Sequence, residues 1–307
     1  MSLVRIAGYQ GPDSILTASL QAFIDEIKSA FEPGALSCEA NVPAQGETAA
    51  SLFASVECGE RQVCYVASGY LAAKVPELAV LDLPFSVQDR AAALQRLDGS
   101  AGQLLSAAVE ARTSYKVLGF WDNGFRHLSN AVRPIHTVTD CAGLKIRTLD
   151  SALYREALSA LGFSPLSIDV KNLVRAVESR QVDAQENPLT NFYHFGLYQH
   201  HPYVSLTSHF FGVLLFVCNR DWFAALETAQ QNAIADAASH ATRLQRQKAR
   251  AEDDELIIIL KRKGIEVAAE RDLDLASMKR ATRFIVERES LVLPSAIVQA
   301  YIQERAA

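Results

Sequence analysis

Apolar residues between positions 143 and 191 switch between the period of a strand and the period of a helix. Alternation over residues 144–148 predicts a strand that carries Arg147 near its carboxyl end. The same two periods predict a helix at 153–161, a strand at 165–168, a helix at 170–177 and a strand at 182–184. The last strand should stop at Asn187-Pro188, because the position before a proline disfavours helix.

This order of elements predicts a binding cleft. Strand, helix, strand, helix and strand with short connections are typical of a parallel sheet covered by helices. Ligands of such sheets bind beyond the carboxyl ends of the strands. Arg147 lies at one predicted strand end, and residues 185–187 lie at another. We therefore expect the stretch to form half of a cleft in which Arg147 faces a carboxylate.

Residues 4–67 repeat the same order of elements. Strands are predicted at 4–7, 36–42 and 62–67, with helices at 14–31 and 46–58 between them. The chain therefore contains two similar halves, and we expect an α/β fold in which each half is a sheet flanked by helices.

The rest of the chain adds helices and strands to these two halves. Helices are expected over 88–112, broken at Gly99 and Gly102, and a strand at 115–120 should lead into a loop at 121–126. Two further strands are expected, at 203–207 and 212–219. From 221 to 263 almost nothing breaks a helix, so we expect one long helix that touches both domains.

The composition narrows the classes of function. Of the 307 residues, 49% are hydrophobic and 21% are charged, and the formal net charge is −5. The negative charge and the lack of a basic block argue against nucleic-acid binding. No apolar run is long enough to span a membrane. The five cysteines include no CxxC pair, so we expect neither a disulfide framework nor a zinc site, and most should be small core residues.

No pattern of catalytic residues accompanies the predicted cleft. The chain contains no G-x-S-x-G, P-loop or G-x-G-x-x-G motif. Glu186 could act as a general base, but no nucleophile motif stands near it, and the histidines at 194, 200, 201 and 209 do not match H-E-x-x-H. We therefore expect no enzymatic activity, no metal and no cofactor. The alternative is an organic-acid enzyme on the same fold, which would show turnover.

Four segments together resemble the solute-binding proteins of TRAP transporters, which capture organic acids for sodium-driven uptake. They are VPELAVLDLPF at 75–85, GFRHLSNAVRPI at 124–135, the D-x-x-G-L-K-I-R-T run at 140–148 and QVDAQENPLTNFY at 181–193. The likeness covers nearly the whole chain, and the last two segments are fairly specific in combination.

The resemblance implies a periplasmic-binding-protein-like fold of two domains around a cleft that closes on the ligand. We expect residues 1–121 plus 208–245 to form domain I and residues 122–207 plus 246–307 to form domain II. The resemblance also implies a periplasmic location and TRAP membrane subunits as partners. Residues 1–30 lack a basic start followed by an apolar core, so we expect that the signal peptide is absent from this chain.

The resemblance implies three ligand-binding residues in the second domain. Arg147 of the GLKIR motif binds the carboxylate, Asn187 of the ENP motif lies beside it, and Arg126 of the GFR motif is a further contact in some members. A guanidinium matches a carboxylate bidentately, and an amide can donate to it while accepting from a hydroxyl. The alternatives are that Arg126 pairs with a carboxylate at the domain interface and that Asn187 only ends a strand.

Position alone suggests the remaining contacts. Five residues near predicted strand ends of the first domain are candidates for its pocket wall: Tyr9, Gln10, Glu47, Ser68 and Tyr70. Four more residues complete the candidate set: Trp121, Asn191, Phe192 and Phe211. For Trp121, Phe192 and Phe211, the alternative is that they belong to the protein core. Glu47 would repel an acid, so at the pocket it should accept a substrate hydroxyl.

Two segments depart from the family pattern. Glycines often flank the Val-Asp pair of the third strand in the family, whereas this chain has Arg180 and Ala184 there. If position 180 needs a positive φ, the arginine is strained. The usual Leu-Gly after the second strand is replaced by residues 43–47, so the first-domain wall cannot be carried over from the family.

These observations predict a periplasmic solute-binding protein for a small organic acid, with a preference for a hydroxy or sugar acid. An aromatic or branched monocarboxylate is the alternative ligand, because Tyr9, Tyr70, Trp121 and Phe192 would suit it. A ligand-binding sensory protein that reports to a receptor kinase is the alternative function. Transfer to a membrane partner suggests a monomer.

Overall fold

The computed structural model describes residues 3–302, and one mixed sheet of nine strands extends through this part of the chain. The strands are β1 (Val4–Ala7), β2 (Leu36–Glu39), β3 (Val63–Ala67), β4 (Tyr115–Asn130), β5 (Lys145–Thr148), β6 (Ser164–Ser167), β7 (Ala184–Pro188), β8 (Tyr203–Asn219) and β9 (Glu266–Ala268). Their order is β2-β1-β3-β8-β4-β7-β5-β6, and β9 pairs with β8.

Helices cover the sheet. They are α1 (Ile15–Ile27), α2 (Ala49–Glu57), α3 (Ser68–Leu71), α4 (Arg90–Asp98), α5 (Ser100–Arg112), α6 (Ala152–Ala160), α7 (Leu173–Glu178), α8 (Leu189–His194), α9 (Arg220–Ala224), α10 (Thr228–Arg262), α11 (Leu275–Val292) and α12 (Ser295–Tyr301). Three 3-10 helices bear on the site: Val42–Gln45, Pro76–Asp82 and Val170–Asn172.

Separate apolar cores divide the described chain into two lobes. The first lobe packs on the largest cluster of buried residues, which includes side chains of β1, β3, α1, α2 and α5. The second lobe packs on two smaller clusters, built from α7 and α8 and from β5 and α6. In each lobe the central strand pairs in parallel with two neighbours, β1 with β2 and β3, and β5 with β6 and β7. The predicted parallel α/β halves are therefore confirmed.

Two long antiparallel strands connect the lobes, and here the predicted loops were wrong. We expected β4 to end at Phe120 and a gap between two strands at 208–211, but β4 and β8 each continue without interruption. The ladder absorbs irregular residues as bulges, one of them between Asp122 and Gly124. Gly124 has a φ of 76°. Glycine adopts this conformation in turns as well as in bulges, so the sequence alone predicted a loop here.

The predicted long helix is present as α10, which has 35 residues and follows the short helix α9. Its first half contributes Ile234 and Ala241 to the core of the first lobe. Its second half contributes Leu256 and Leu260 to the core of the second lobe. The predicted contact of this helix with both halves is therefore confirmed.

The proposed domain boundaries remain a prediction. They fall inside β4, β8 and α10, all of which continue from one lobe into the other. Residues 1–2 and 303–307 of the proposed domains lie outside the described residues. We assigned residues 246–307 to domain II, yet α12 packs on the core of the first lobe through Ile297, Val298 and Tyr301.

Arg180 adopts the conformation that its glycine-like position suggested. It has φ 56°, and it follows α7 where the chain turns towards β7. Its amide donates to the carbonyl of Val177 at 3.1 Å, and the next amide, of Gln181, donates to Ala176 at 3.0 Å. The turn therefore ends α7 as a left-handed cap would, and the arginine occupies a position that favours glycine.

We predict that Arg180→Gly raises the free energy of unfolding. A left-handed backbone costs an L-residue about 1–2 kcal/mol, and the substitution removes this cost. Glycine has more conformational freedom in the unfolded chain, and this offsets about 0.5–1 kcal/mol of the gain. Urea denaturation should show a net gain of roughly 0.5–1 kcal/mol. The matched control is Arg175→Gly inside α7, which should lose about 1 kcal/mol. A loss at both positions would contradict this account of the turn.

Candidate functional site

A buried ion pair joins β4 to β7 in the second lobe. The Arg126 guanidinium donates from Nε to Glu186, and from Nη2 to Glu186 Oε1 at 2.9 Å and to the Glu186 carbonyl at 2.8 Å. The side chains are 4% and 0% exposed, so this pair is shielded from water. Burial works to lower the pKa of Arg126, but Glu186 outweighs it and leaves the pKa raised. Arg126 thus pairs with a carboxylate of its own lobe rather than with one at the domain interface, and its contact with a ligand stays a prediction.

Further side chains complete the surroundings of Glu186. The Thr148 hydroxyl donates to Glu186 Oε1 at 2.7 Å. His209 Nε2 lies 3.8 Å from Glu186 Oε2, and burial keeps the pKa of His209 well below its usual range, so the imidazole is neutral. Glu186 is thus an anchor for Arg126 rather than a free base, and sequence reasoning missed Thr148 as its partner.

Arg147 has a different environment. Its Nε donates to the Ile168 carbonyl at 2.8 Å, which fixes the guanidinium at the carboxyl end of β5. Its Nη2 is buried without a hydrogen-bond partner among residues 3–302. Burial lowers the pKa of Arg147, but an arginine stays protonated at neutral pH. A buried positive group with an open donor is the feature expected of an anion-binding site.

A chain of amide groups connects the lobes beside these arginines. Gln10, just beyond β1 in the first lobe, donates from Nε2 to Asn191 Oδ1 at 3.2 Å. Asn191 in turn donates to Asn187 Oδ1 at 3.2 Å, and that oxygen also accepts from Arg126 at 3.3 Å. Asn187 donates to Gln185 Oε1 at 2.6 Å. The structure therefore brings Gln10, Asn187 and Asn191 together with Gln185, which the sequence placed at the same strand end as Asn187.

Three first-lobe candidates for the pocket wall, Tyr9, Ser68 and Tyr70, are buried or half-buried aromatic or hydroxyl residues. Burial raises the pKa of Tyr70, and the positive charge of Arg147 in the second lobe opposes that rise. Tyr9 is 6% exposed and packs its ring 4.9 Å from that of Tyr65. Ser68 donates to Asp82 Oδ1 at 2.7 Å, so its hydroxyl is already engaged.

Glu47 belongs to a separate ion-pair cluster. Arg61 donates to Glu47 Oε1 at 2.7 Å and to Glu39 Oε2 at 2.6 Å. The hydrogen bond from Arg61 holds the pKa of Glu47 below its usual range. Both Glu47 oxygens accept from this arginine, so the structure gives Glu47 a partner within the first lobe instead of the substrate hydroxyl that we expected.

The structure places three candidate aromatic residues in the core. Trp121 is 0% exposed, its ring stacks 4.6 Å from Phe216, and its Nε1 donates to Thr242 at 3.1 Å. Phe192 packs in a second-lobe apolar cluster, and Phe211 packs in the first-lobe cluster with its ring 5.2 Å from Phe125. All three side chains are at most 2% exposed, as the core alternative expects.

A cavity large enough to hold a small ligand lies on a part of the surface away from Arg147. A groove of about 700 Å³ lies between α5, β4 and α10 in the first lobe. Its arginine Arg246 is engaged, because it donates to the Phe120 carbonyl at 3.0 Å and to Asp98 at 2.7 Å. We place the functional site at Arg147 instead, since an open buried donor indicates a ligand more directly than an empty surface groove does.

Other candidate features are absent from the described chain. Between residues 3 and 302, no three histidine, cysteine, aspartate or glutamate side chains are grouped so that they could hold a metal ion. Over the same range, no helix is both long enough and apolar enough to cross a bilayer. Cys64, Cys141 and Cys218 are buried core residues, whereas Cys38 and Cys58 are exposed.

Comparison with known sequences identifies a family. The model of the bacterial extracellular solute-binding proteins of family 7 matches residues 7–290. The 2,3-diketo-L-gulonate-binding periplasmic protein YiaO of Escherichia coli is 31% identical, over 73% of this chain and 68% of that protein. An uncharacterised protein of Haemophilus influenzae is 38% identical over 62% of this chain, an alignment that spans only 58% of that protein.

Comparison with solved structures supports the fold. A TRAP periplasmic solute-binding protein from Polaromonas sp. JS666, bound to D-erythronate, superposes with a TM-score of 0.92 at 25% identity. The superposition covers 100% of both chains. The two-domain periplasmic-binding fold that we expected is therefore confirmed.

We predict that Glu186→Gln strongly destabilises the ligand-free protein. The substitution leaves the Arg126 charge buried without its counter-ion, a change that costs about 3–5 kcal/mol. Urea denaturation in a buffer free of organic acids measures the loss. The matched control is Glu156→Gln, which breaks the exposed pair with Arg288 and should cost less than about 1 kcal/mol. Equal, small losses for both variants would show that the buried pair does not anchor the site.

Proposed function

We propose that this chain, which belongs to the bacterial extracellular solute-binding proteins of family 7, captures a small organic acid between its two lobes. Arg147 holds the ligand carboxylate, and the amide groups beside it bind the rest of the ligand. The observation that carries this proposal is the buried Nη2 of Arg147, which has no partner among the described residues. A carboxylate in the cleft would satisfy both its charge and its open donor.

The charge of the site favours a monocarboxylate. Arg126 and Arg147 supply two positive charges, and Glu186 removes one by pairing with Arg126. One positive charge is then left for the ligand, and it lies on Arg147. A second ligand carboxylate would have to displace Glu186 from Arg126 or stay buried without a partner, and both cost free energy. We therefore favour a single carboxylate over a C4-dicarboxylate.

The amide groups favour a ligand with hydroxyl or keto oxygens. Each side-chain amide carries two donors, and Asn187 and Asn191 each use one of them inside the amide chain. Their remaining N–H groups, together with the amide of Gln10, can bind oxygen substituents of the ligand. The ligands named for the relatives, 2,3-diketo-L-gulonate and D-erythronate, carry one carboxylate and several such oxygens.

Hydrogen bonds across the cleft support the proposal that this structure is the closed form of the protein. Lys171 of the second lobe donates to the Gly46 carbonyl of the first lobe at 2.8 Å, and Gln10 reaches Asn191. A ligand that contacts Arg147 on one lobe and Gln10 or Tyr70 on the other would stabilise this form by its differential contacts. Residues 1–121 plus 208–245 and residues 122–207 plus 246–307 are the proposed moving units.

The proposed biological role follows from the family. The protein would bind its acid outside the cytoplasm as a monomer, return it unchanged and deliver it to TRAP membrane subunits. Its polar side chains at the cleft serve binding: Glu186 is held by Arg126 and Thr148 and is not available as a base. We therefore propose that the protein catalyses no reaction.

We predict that Arg147→Met strongly weakens binding without destabilising the ligand-free protein. Loss of the guanidinium should weaken binding by about 2–5 kcal/mol, which is roughly a 30-fold to several-thousand-fold rise in Kd. Thermal denaturation with and without D-erythronate measures both effects, because a ligand raises Tm by mass action. The matched control is Arg155→Ala on the exposed face of α6, which should keep the wild-type shift. An Arg147→Met protein that still shifts as wild type does would place the carboxylate elsewhere.

We predict an order of ligands for the wild-type protein. Aldonic acids such as D-erythronate should bind more tightly than succinate, because only one positive charge is free. They should also bind more tightly than the uncharged alditol erythritol, which cannot pair with Arg147. Isothermal titration calorimetry against the three compounds measures the order. Tighter binding of succinate would mean that Arg126 serves the ligand after all.

A further inference from the structure

A buried carboxyl group lies where the two lobes touch. Asp82 ends the 3-10 helix Pro76–Asp82 of the first lobe and is 1% exposed. Its Oδ1 accepts from the Ser68 hydroxyl at 2.7 Å within the same lobe. The same oxygen accepts from the Tyr154 hydroxyl at 3.2 Å, and Tyr154 belongs to α6 of the second lobe. The group therefore makes a contact that exists only while the lobes are together.

The second carboxyl oxygen of Asp82 has no hydrogen bond within the described residues to offset its loss of hydration. Asp82 Oδ2 is buried without a hydrogen-bond partner among residues 3–302. The backbone of α3 packs closely above it: a Cβ on Gly69 would lie 3.5 Å from Oδ2 and 2.9 Å from Leu149. An ionised carboxylate in such a place loses its hydration and gains nothing for one of its oxygens. A protonated carboxyl group has a much smaller cost there.

Among residues 3–302, the charged groups around Asp82 do not supply a counter-ion. Arg126 on β4 is the nearest cation, but it is committed to Glu186 on β7, which repels Asp82. Tyr154 on α6 and Tyr301 on α12 are neutral phenols.

Within the described part of the chain, the remaining elements that pack on this 3-10 helix add no free cation either. His209 on β8 is kept neutral by burial. Arg112 on α5 donates to Glu77 rather than to Asp82, and Arg288 on α11 donates to Glu156.

We propose that closure of the lobes over the ligand is coupled to the uptake of one proton by Asp82. This inference rests on the proposed function and adds a regulatory role for pH at the same site. In the open form Tyr154 withdraws, water reaches the carboxyl group, and Asp82 ionises as an ordinary aspartate does. In the closed form with a bound carboxylate, Arg147 is neutralised by the ligand and Arg126 by Glu186. An ionised Asp82 would then be the uncompensated charge, and protonation removes it.

The direction of the pH effect follows from the same contacts. Burial raises the pKa of Asp82 to about 7, although the hydrogen bonds from Ser68 and Tyr154 oppose the rise. The closed form therefore binds the proton more tightly than the open form does. The contribution of Asp82 protonation to closure is fully present below the Asp82 pKa of the open form. It is lost as pH rises through the Asp82 pKa of the closed form. Between the open-state and closed-state pKa values, the affinity for a carboxylate should fall by up to about tenfold per pH unit, and above about pH 7 it should become independent of pH.

Calorimetry in paired buffers tests the coupling. Binding of D-erythronate at pH 7 is measured in phosphate and in imidazole, whose ionisation enthalpies differ, and the difference in heat gives the number of protons taken up. We expect a substantial fraction of one proton for the wild type and close to none for Asp82→Asn. The affinity of the variant should also be flat between pH 6 and 8.5. The matched control is Asp150→Asn, an exposed carboxyl at the start of α6, which should behave as the wild type does.

A second variant keeps the test decisive if Asp82→Asn does not fold. Tyr154→Phe removes one donor to the ionised carboxylate, so its proton uptake should persist to a higher pH than in the wild type. Uptake that is zero in the wild type, or equal in the wild type and Asp82→Asn, would overturn the proposal while the proposed function stands. Uptake in Tyr154→Phe that moves to lower pH would overturn it as well.

Small-angle X-ray scattering separates this proposal from the proposed function. If no acid gives a binding heat, the proposed function fails, and the radius of gyration of the ligand-free protein still reports closure. The wild type should become more compact as pH falls from 8.5 to 6, whereas Asp82→Asn should already be compact at pH 8.5. Equal radii for the two proteins at every pH would contradict a role for Asp82 in closure.

Discussion

The fold buries a guanidinium that cannot lose its charge, that of Arg147, and no anion among residues 3–302 pairs with it. Arg126 and Arg147 lie on neighbouring parts of one sheet, yet only Arg126 receives a carboxylate, from Glu186. Strand register decides this difference, because Arg126 pairs with Pro188 on β7, two residues from Glu186, whereas Arg147 pairs with Gln185. The free energy spent on burying Arg147 is recovered only when a ligand supplies the missing charge.

The same sheet makes the cleft both rigid and able to open. Each lobe has its own apolar core, while β4, β8 and α10 continue through both. Many contacts across the cleft are polar, such as Gln10 to Asn191 and Lys171 to Gly46. Water can replace hydrogen bonds of this kind at little cost, so these contacts alone hold the lobes together only weakly. A ligand with a modest difference in contacts can therefore shift the balance between open and closed forms.

Local patterns predicted the elements and part of the site, and long-range pairing explains what they missed. Strand alternation placed Arg147 at the carboxyl end of β5, and the family pattern singled out the strained φ of Arg180. The bulge at Gly124 could not be distinguished from a turn, because both use the same backbone conformation. The pairing of Arg126 with Glu186, and of Asp82 with Tyr154, joins residues far apart in sequence. The period of apolar residues carries no information on such partners. The sequence also suggested Trp121 and Glu47 as pocket residues, whereas in the structure Trp121 donates to Thr242 and Glu47 pairs with Arg61.

The most direct test is a crystal structure of the protein with D-erythronate bound. The account predicts that the ligand carboxylate lies within hydrogen-bonding distance of Arg147 Nη2, with the Arg126–Glu186 pair intact and the ligand hydroxyls against the amides of Asn187 and Asn191. A carboxylate bound to Arg126 with Glu186 displaced, or a ligand bound outside the cleft with Arg147 still unpartnered, would contradict it.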